Sequence, residues 1–146
     1  VRTAWVYGSR GKGNFVKTML RLGADRPVIK VVSDQVGTPT WANDIAETTA
    51  RLITLPVADT AGTYHFTNSG AISWYDFAIA IFSEALELGL LTKAPDIVPI
   101  TTAEYPTVAQ RPANSPLYCT KVRALLGHAP PAWRDSLRLM LSELVS

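Results

Sequence analysis

Short apolar runs rich in β-branched residues alternate along this chain with longer stretches of helical period, and that alternation constrains the fold more than any other feature of the sequence. Val1 to Tyr7 reads as a strand and Gly8 to Gly13 as a glycine-rich loop. Asn14 then caps a helix with Phe15, Met19, Leu20 and Leu22 on one face, stopping at Gly23. Val28 to Val32 predicts a second strand, which runs into an ordered loop, Asp34-Gln35-Val36-Gly37-Thr38-Pro39-Thr40. Thr40 is the expected cap of a helix whose inner face carries Ala42, Ile45, Ala46, Thr49, Leu52 and Ile53. After a turn over residues 56–62, Thr63 to Thr67 reads as a short strand. Ser73 and Asp76 have capping-box spacing for a helix from Trp74 to about Leu88, with Ala78, Ile81, Phe82 and Ala85 inside. Ile97 to Ile100 predicts an edge strand, because Pro99 cannot donate to a ladder, and prolines 106, 112 and 116 keep residues 102–118 extended. Thr120 to Leu126 predicts a helix stopped by Gly127, and Pro130-Pro131 starts a last one with Trp133, Leu137, Met140, Leu141 and Leu144 inward. Strands alternating with helices give an α/β class. The pieces do not complete a doubly wound sheet, so the core is expected to be shared with sequence outside this chain.

Composition then removes several functions. The chain has 146 residues, 47% of them apolar and 18% charged, enough to build a packed core. A net charge of +2 is too small for a protein that works by neutralising a nucleic-acid backbone. No apolar run approaches the roughly 20 residues of a membrane span and no leader pattern opens the chain, so neither nucleic acid nor membrane is expected as a partner and the expected location is the cytoplasm. Cys119 with His65 and His128 makes no ligand set at zinc spacing, and no metal is expected. The charge is unevenly spread: residues 1–33 carry seven basic side chains against Asp25 alone, +6, which leaves −4 for the rest. Either an anionic ligand binds near the beginning or a basic helix face is simply solvated.

The loop from Gly8 to Asn14 leads from a strand to a helix N-terminus, where backbone N–H groups attract anions. It is no nucleotide-hydrolysing loop, since Lys and Ser or Thr do not follow Gly13, and no third glycine stands at position 16. Lys12 and Asn14 leave it a weak anion contact. Catalytic constellations are lacking: there is no nucleophile elbow, and no tyrosine is followed four residues on by lysine. No catalytic residue is assigned, and the chain alone is expected to do no chemistry. His65 reads as a core histidine, His128 as an exposed one, and Cys119 as a small buried hydrophobe.

Four segments carry a family resemblance: Arg-Thr-Ala-Trp-Val-Tyr-Gly at 2–8, Gly-Asn-Phe-Val-Lys-Thr-Met-Leu at 13–20, Val-Ser-Asp-Gln-Val-Gly-Thr-Pro-Thr at 32–40 and Tyr-Pro-Thr-Val-Ala-Gln-Arg-Pro-Ala-Asn-Ser at 105–115. Their order and spacing resemble the dTDP-4-dehydrorhamnose reductase family of extended short-chain dehydrogenases, in its C-terminal half only. The resemblance implies a Rossmann-type α/β protein. Residues 1–146 would form mainly its small substrate-binding domain, with residues 1–12 and parts of the middle at the edge of an N-terminal Rossmann domain not included here. It implies reduction of the 4-keto group of a dTDP-sugar by NADPH or NADH, the cofactor and the catalytic tyrosine and lysine being held mainly before Val1. Thr3 and Ala4 would sit beside the nicotinamide, and Trp5 would face the deoxysugar.

The chemistry of individual residues agrees with a sugar-nucleotide site, each against a plainer role. Trp5 offers a flat apolar face for a sugar ring, or belongs to the core. Asn14, Phe15 and Val16 could contact the diphosphate and nucleoside, or form a capped helix start. Gln35 and Thr40 could bind a base or hydroxyl, or satisfy their own loop. Arg111 can grip a phosphate bidentately, with Asn114 and Ser115 nearby, and is the first choice among them. Trp41 and Asn43 depart from the family pattern: they stand where some relatives carry a glycine and a glutamate, the latter tied to a metal-bridged dimer. The resemblance therefore carries no metal to this chain and leaves a homodimer open. Two rivals remain at this point, another nucleotide-sugar reductase or epimerase, and a non-catalytic regulatory subunit on the same scaffold, as in the methionine adenosyltransferase β subunit.

Overall fold

The computed structural model describes residues 1–56 and 61–145, so the turn expected over residues 56–62 lies largely outside the described residues. In chain order the elements are β1 (Val6–Tyr7), α1 (Phe15–Asp25), β2 (Val28–Val32), β3 (Val36–Gly37), β4 (Thr40–Trp41), α2 (Ala42–Ile53), β5 (Ile72–Ser73), α3 (Trp74–Glu87), β6 (Asp96–Ile100), a 3₁₀ turn (Thr102–Glu104), α4 (Thr120–Leu126) and α5 (Trp133–Ser142). Strands pair two by two: β1 with β4 and β2 with β6 in parallel, β3 with β5 antiparallel. Pro99 sits opposite Val31 in the β2–β6 pair, as expected of an edge strand.

Local capping chemistry explains the helix starts. The Asn14 side chain accepts from the Lys17 amide at 3.1 Å, and Ser73 accepts from the Asp76 amide at 3.0 Å while its hydroxyl donates to the Asp76 carboxylate at 2.6 Å. Gly127, at φ 75°, ends α4 in the left-handed conformation that glycine adopts without a Cβ penalty. The core gathers around α3, where Phe77, Ala78, Ile81 and Ala85 are wholly buried between α1, α5 and the β2–β6 pair.

Six expectations are corrected. The first strand is only Val6–Tyr7, because Trp5 takes φ +50° and breaks the extended run; before it, Arg2 alone pairs, with Tyr64 and Phe66. Gly23 does not stop α1 but lies inside it, because α1 and α3 approach so closely that a Cβ there would stand 2.3 Å from the Phe82 ring. Thr40 caps nothing: it belongs to β4, paired with β1, and α2 begins after Trp41. The buried residues of α2 are Asp44, Thr48 and Leu52, whereas Ile53 is 78% exposed. Thr63 to Thr67 is no strand but the single bridge from His65 to Arg2, and Pro130-Pro131 precedes the last helix instead of starting it, since the Pro131 carbonyl accepts from the Ser69 amide at 2.8 Å.

Asp44 is inside because its partners are. Its Oδ2 accepts from Asn68 Nδ2 and from Ser136 Oγ, both at 2.6 Å, and Asn68 Oδ1 accepts from the Trp41 amide at 2.8 Å. One buried knot thus joins α2, the segment at Asn68, β4 and α5. Burial, with the Asp44 carboxylate nearby, pushes the Tyr7 phenol far up, so it stays neutral.

Candidate functional site

The loop of residues 34–40 is the hub that draws distant segments together. At its start the Asp34 carboxylate accepts from the Thr102 amide at 2.9 and 3.0 Å and from the Thr102 hydroxyl at 2.7 Å, and Gln35 Nε2 donates to the same hydroxyl at 3.0 Å. In its middle the Val36 amide donates to the Ala113 carbonyl at 2.8 Å. Val36's own carbonyl accepts from the Ser115 amide at 2.9 Å and the Ser115 hydroxyl at 3.1 Å. Gly37 lies against the Trp5 indole, and the Thr40 amide donates to the Trp5 carbonyl at 3.1 Å. Trp5 in turn stacks on Trp74 at 3.4 Å between centroids, and Phe15 packs on Trp74 at 4.5 Å. Trp5, Phe15, Gln35, Asn114 and Ser115 are therefore one connected region.

Within it the candidates divide by what their side chains still have to offer. Val16 and Thr40 are fully buried, and the Thr40 hydroxyl donates to the Thr38 carbonyl at 3.2 Å, so neither side chain faces a ligand. The Asn14 amide is consumed on both sides, donating to the Gly8 carbonyl at 2.7 Å and accepting from Lys17. What α1 retains at its start is the amide N–H groups of Phe15 and Val16, which no described residue accepts. The Ser115 hydroxyl is spent on Val36, but Gln35 Oε1 and the whole Asn114 amide carry no hydrogen bond. Arg111 is exposed and paired with no carboxylate among the described residues, three positions before the Asn114 bridge to Val36. Thr3 is exposed and Ala4 half-buried, just ahead of Trp5.

Trp5 corrects its expectation most sharply. A Cβ built on Gly37 would lie 2.3 Å from Trp5 Cε2 and 2.6 Å from both Cζ2 and Nε1. A point nearest the ring-fusion atom and equidistant from its two neighbours sits above the ring, not beside it. Trp74 fills the other face, at an interplanar angle of 7°. Both faces of the indole are covered by the protein. Trp74 and Gly37 are the members of this region that sequence reasoning missed; the available signal was an aromatic at the first helical position after a Ser73 cap.

Asp34 and Glu104 give the hub a pH dependence. Both carboxylates are held below their ordinary range, Asp34 by the Thr102 hydroxyl and then the Thr102 amide, Glu104 by the Thr101 amide and then its hydroxyl. A lowered pKa contributes order above the ordinary carboxylate value of about 4, lost as pH falls through the depressed value. The Thr101 and Thr102 amides are thus expected to stay in place to below about pH 4 and to loosen only under it; an amide-shift titration with its midpoint above the ordinary carboxylate value would refute this.

Away from this hub, an open cleft of about 670 Å³ lies between Gly8 to Arg10, the start of α2 and the end of α5. There Asn43 Nδ2 donates to Glu143 Oε1 at 3.0 Å and the Ser9 hydroxyl donates to Glu143 Oε2. An amide facing a carboxylate makes a hydrogen bond where two carboxylates would need a cation between them. His128, exposed as expected, meets Arg51 at 2.9 Å, and Cys119 is half-buried with its sulfur accepting from the Thr67 amide at 3.2 Å.

A family described as the RmlD substrate binding domain matches residues 1–146. The chain is 47% identical to the dTDP-4-dehydrorhamnose reductase of Aggregatibacter actinomycetemcomitans over 141 residues, 94% of this chain and 48% of the relative. A crystal structure of a dTDP-4-dehydrorhamnose reductase from Clostridium acetobutylicum superposes with a TM-score of 0.87 at 39% identity, over 99% of this chain and 48% of that one. The enzyme of the same name from Bacillus anthracis, solved in complex with NADP, gives 0.84 at 37% identity over 97% and 47%. The chain spans about half the length of the curated relatives it matches. No helix among the described residues is long and apolar enough to cross a membrane.

Proposed function

The chain belongs to the RmlD substrate-binding-domain family, and from that premise we propose that it holds the sugar nucleotide in a cytoplasmic dTDP-4-dehydrorhamnose reductase, which reduces the 4-keto group of dTDP-4-dehydro-L-rhamnose to give dTDP-L-rhamnose. Its fold is the α/β C-terminal portion of the extended short-chain dehydrogenase architecture. Residues 1–12 and parts of the middle lie at the edge of a cofactor-binding Rossmann domain upstream. The single pairing of β1 with β4 and of β2 with β6, each leaving a strand edge open, supports that division. Relatives named as reductases favour this reading over an epimerase or a regulatory subunit.

The observation that carries the site is the hub at 34–40, which brings Trp5, Gln35 and the Asn114 segment to one place. In this reading the unpaired Phe15 and Val16 amides at the start of α1 and the guanidinium of Arg111 meet the diphosphate. Gln35 Oε1 and the Asn114 amide meet base or sugar hydroxyls. NADPH or NADH supplies a hydride when bound. The residues present fit only the margin of that cofactor, at Thr3 and Ala4, and the proton donor, too, lies outside residues 1–146. What this chain does is orient the keto sugar and exclude water from one side of it.

Arg111→Ala in the intact protein is expected to weaken binding of dTDP-L-rhamnose by about 1.5–3 kcal/mol, the range for a hydrogen bond to a charged group. Titration calorimetry showing unchanged affinity would remove Arg111 from the site.

A further inference from the structure

Between Thr102 and Ala113 the chain leaves the body of the protein and returns close to the point it left. Thr102 is tied to Asp34 and Gln35, and Ala113 and Ser115 are tied to Val36. Residues 103–112 therefore begin and end against attachment points two residues apart in the chain, about 7 Å at most. Closed ends around a stretch of this length make an Ω-loop. Its body has no support from the rest of the protein. Every residue from 103 to 114 is exposed, Val108 completely, and neither Tyr105 nor Val108 joins an apolar cluster. The Thr107 hydroxyl donates to the Ala109 carbonyl at 2.8 Å, and among the described residues nothing from Pro106 to Pro112 bonds outside that stretch. Pro106 and Pro112 stand at its two ends and fix φ there, which leaves a stiffened strap between two anchors.

Two side chains on this strap have nothing to do where they stand: an apolar one, Val108, without a contact, and a guanidinium, Arg111, without a partner. We propose that residues 106–112 close over the bound sugar nucleotide, with Arg111 latching the strap to the diphosphate and Val108 covering the ligand against water. The strap rests on the sugar-nucleotide role proposed above. Its anchors adjoin Gln35 and Asn114, the residues of the hub with hydrogen-bonding groups still free, so a strap hinged there comes down on the ligand they hold. The anchoring bonds belong to residues 101–104 and 113–115 and are kept in both positions, which confines the movement to 106–112. A ligand shifts such an equilibrium only by what it gains in one state, and here the gain is the Arg111 contact, made with the strap down. Closure then encloses the keto sugar and shuts out water.

The test uses the full-length protein, dTDP-L-rhamnose as the probe, and hydrogen–deuterium exchange read by mass spectrometry beside titration calorimetry. Without the probe the amides of residues 107–111 are expected to exchange as fast as those of an unstructured peptide, and with it at least about tenfold more slowly. Pro106→Gly and Pro112→Gly loosen only the open strap. Each is expected to leave Tm unchanged and to raise Kd about two- to fivefold, through the backbone entropy that a proline withholds. Val108→Ser, at a fully exposed position, is likewise expected to keep Tm and to weaken binding, which a loop without a ligand would not show. Slow exchange of 107–111 before any probe is added overturns the strap. So does fast exchange of 107–111 while calorimetry shows the probe bound, or proline variants that bind as tightly as wild type, and in those cases the sugar-nucleotide role stands. If calorimetry shows no binding of the probe, that role falls and the strap with it.

Discussion

Phe77→Ala is expected to lower the unfolding free energy by about 3–5 kcal/mol, the range for deleting a buried phenylalanine. Phe77 is wholly buried and stands at the centre of an aromatic cluster, 5.6 Å from Tyr7, 5.7 Å from Phe15, 6.4 Å from Trp74 and 5.9 Å from Trp133. Those four rings come from β1, α1, α3 and α5, so they are held by separate elements and cannot close together over the space a methyl group would leave. Set against total stabilities of about 5–15 kcal/mol, a loss of this size takes a large share of the whole. It also undercuts the site, because Phe15 and Trp74 lean on Phe77 while Trp74 holds Trp5. Phe77→Leu keeps most of the volume and is expected to cost less than half as much, about 1–2 kcal/mol. Urea unfolding of the two variants checks this; a Phe77→Ala midpoint within error of wild type would show that the cluster contributes little.

What could be read in advance was whatever depends on neighbours a few residues away. Asn14 and Ser73 announce helices because their side chains reach an amide three positions on, and the inward face of α3 at Ala78, Ile81, Phe82 and Ala85 follows from helical period alone. The errors share the opposite cause. Gly23 looks like a helix stop until Phe82, far along the chain, supplies the reason for a missing side chain. The inner face of α2 reads as Ala42, Ile45, Ala46, Thr49, Leu52 and Ile53 until Asn68 and Ser136 bring donors that draw Asp44 inside. Thr40 has a capping residue's chemistry, but strand pairing with β1 claims it first. The site divides the same way. Trp5, Gln35, Asn114 and Ser115 could be named from motif and residue type, yet that loop 34–40 ties them together, and that Trp74 and Gly37 enclose Trp5, depends on packing between segments that no local pattern encodes.

Asp44→Ala is expected to destabilise the protein by about 2–4 kcal/mol and to reach the site without touching it. The substitution leaves Ser136 Oγ and one proton of Asn68 Nδ2 without their acceptor in a place water does not enter, since Asn68 and Ser136 are about 2% and 1% exposed. Orphaning buried donors costs about 1–3 kcal/mol each, partly offset here because Asn68 Nδ2 can still donate to Ser136 Oγ at 3.1 Å and to the Pro131 carbonyl at 3.3 Å. Asp44→Asn keeps the shape and can set its amide oxygen where Oδ2 accepts from both donors, so it is expected to destabilise by less than the alanine. For a chain of this size the alanine loss lowers Tm by roughly 5–15 °C, measurable by calorimetry. The consequence for the ligand follows the hydrogen bonds: Asn68 holds the Trp41 amide, Trp41 continues Thr40 in β4, and Thr40 holds the carbonyl of Trp5 in its strained backbone. Loosening the knot therefore frees Trp5 to relax to negative φ and leave the sandwich. Asp44→Ala at a temperature where it is still folded is expected to bind dTDP-L-rhamnose several-fold more weakly; full affinity in the folded variant would show that the knot and the site are independent.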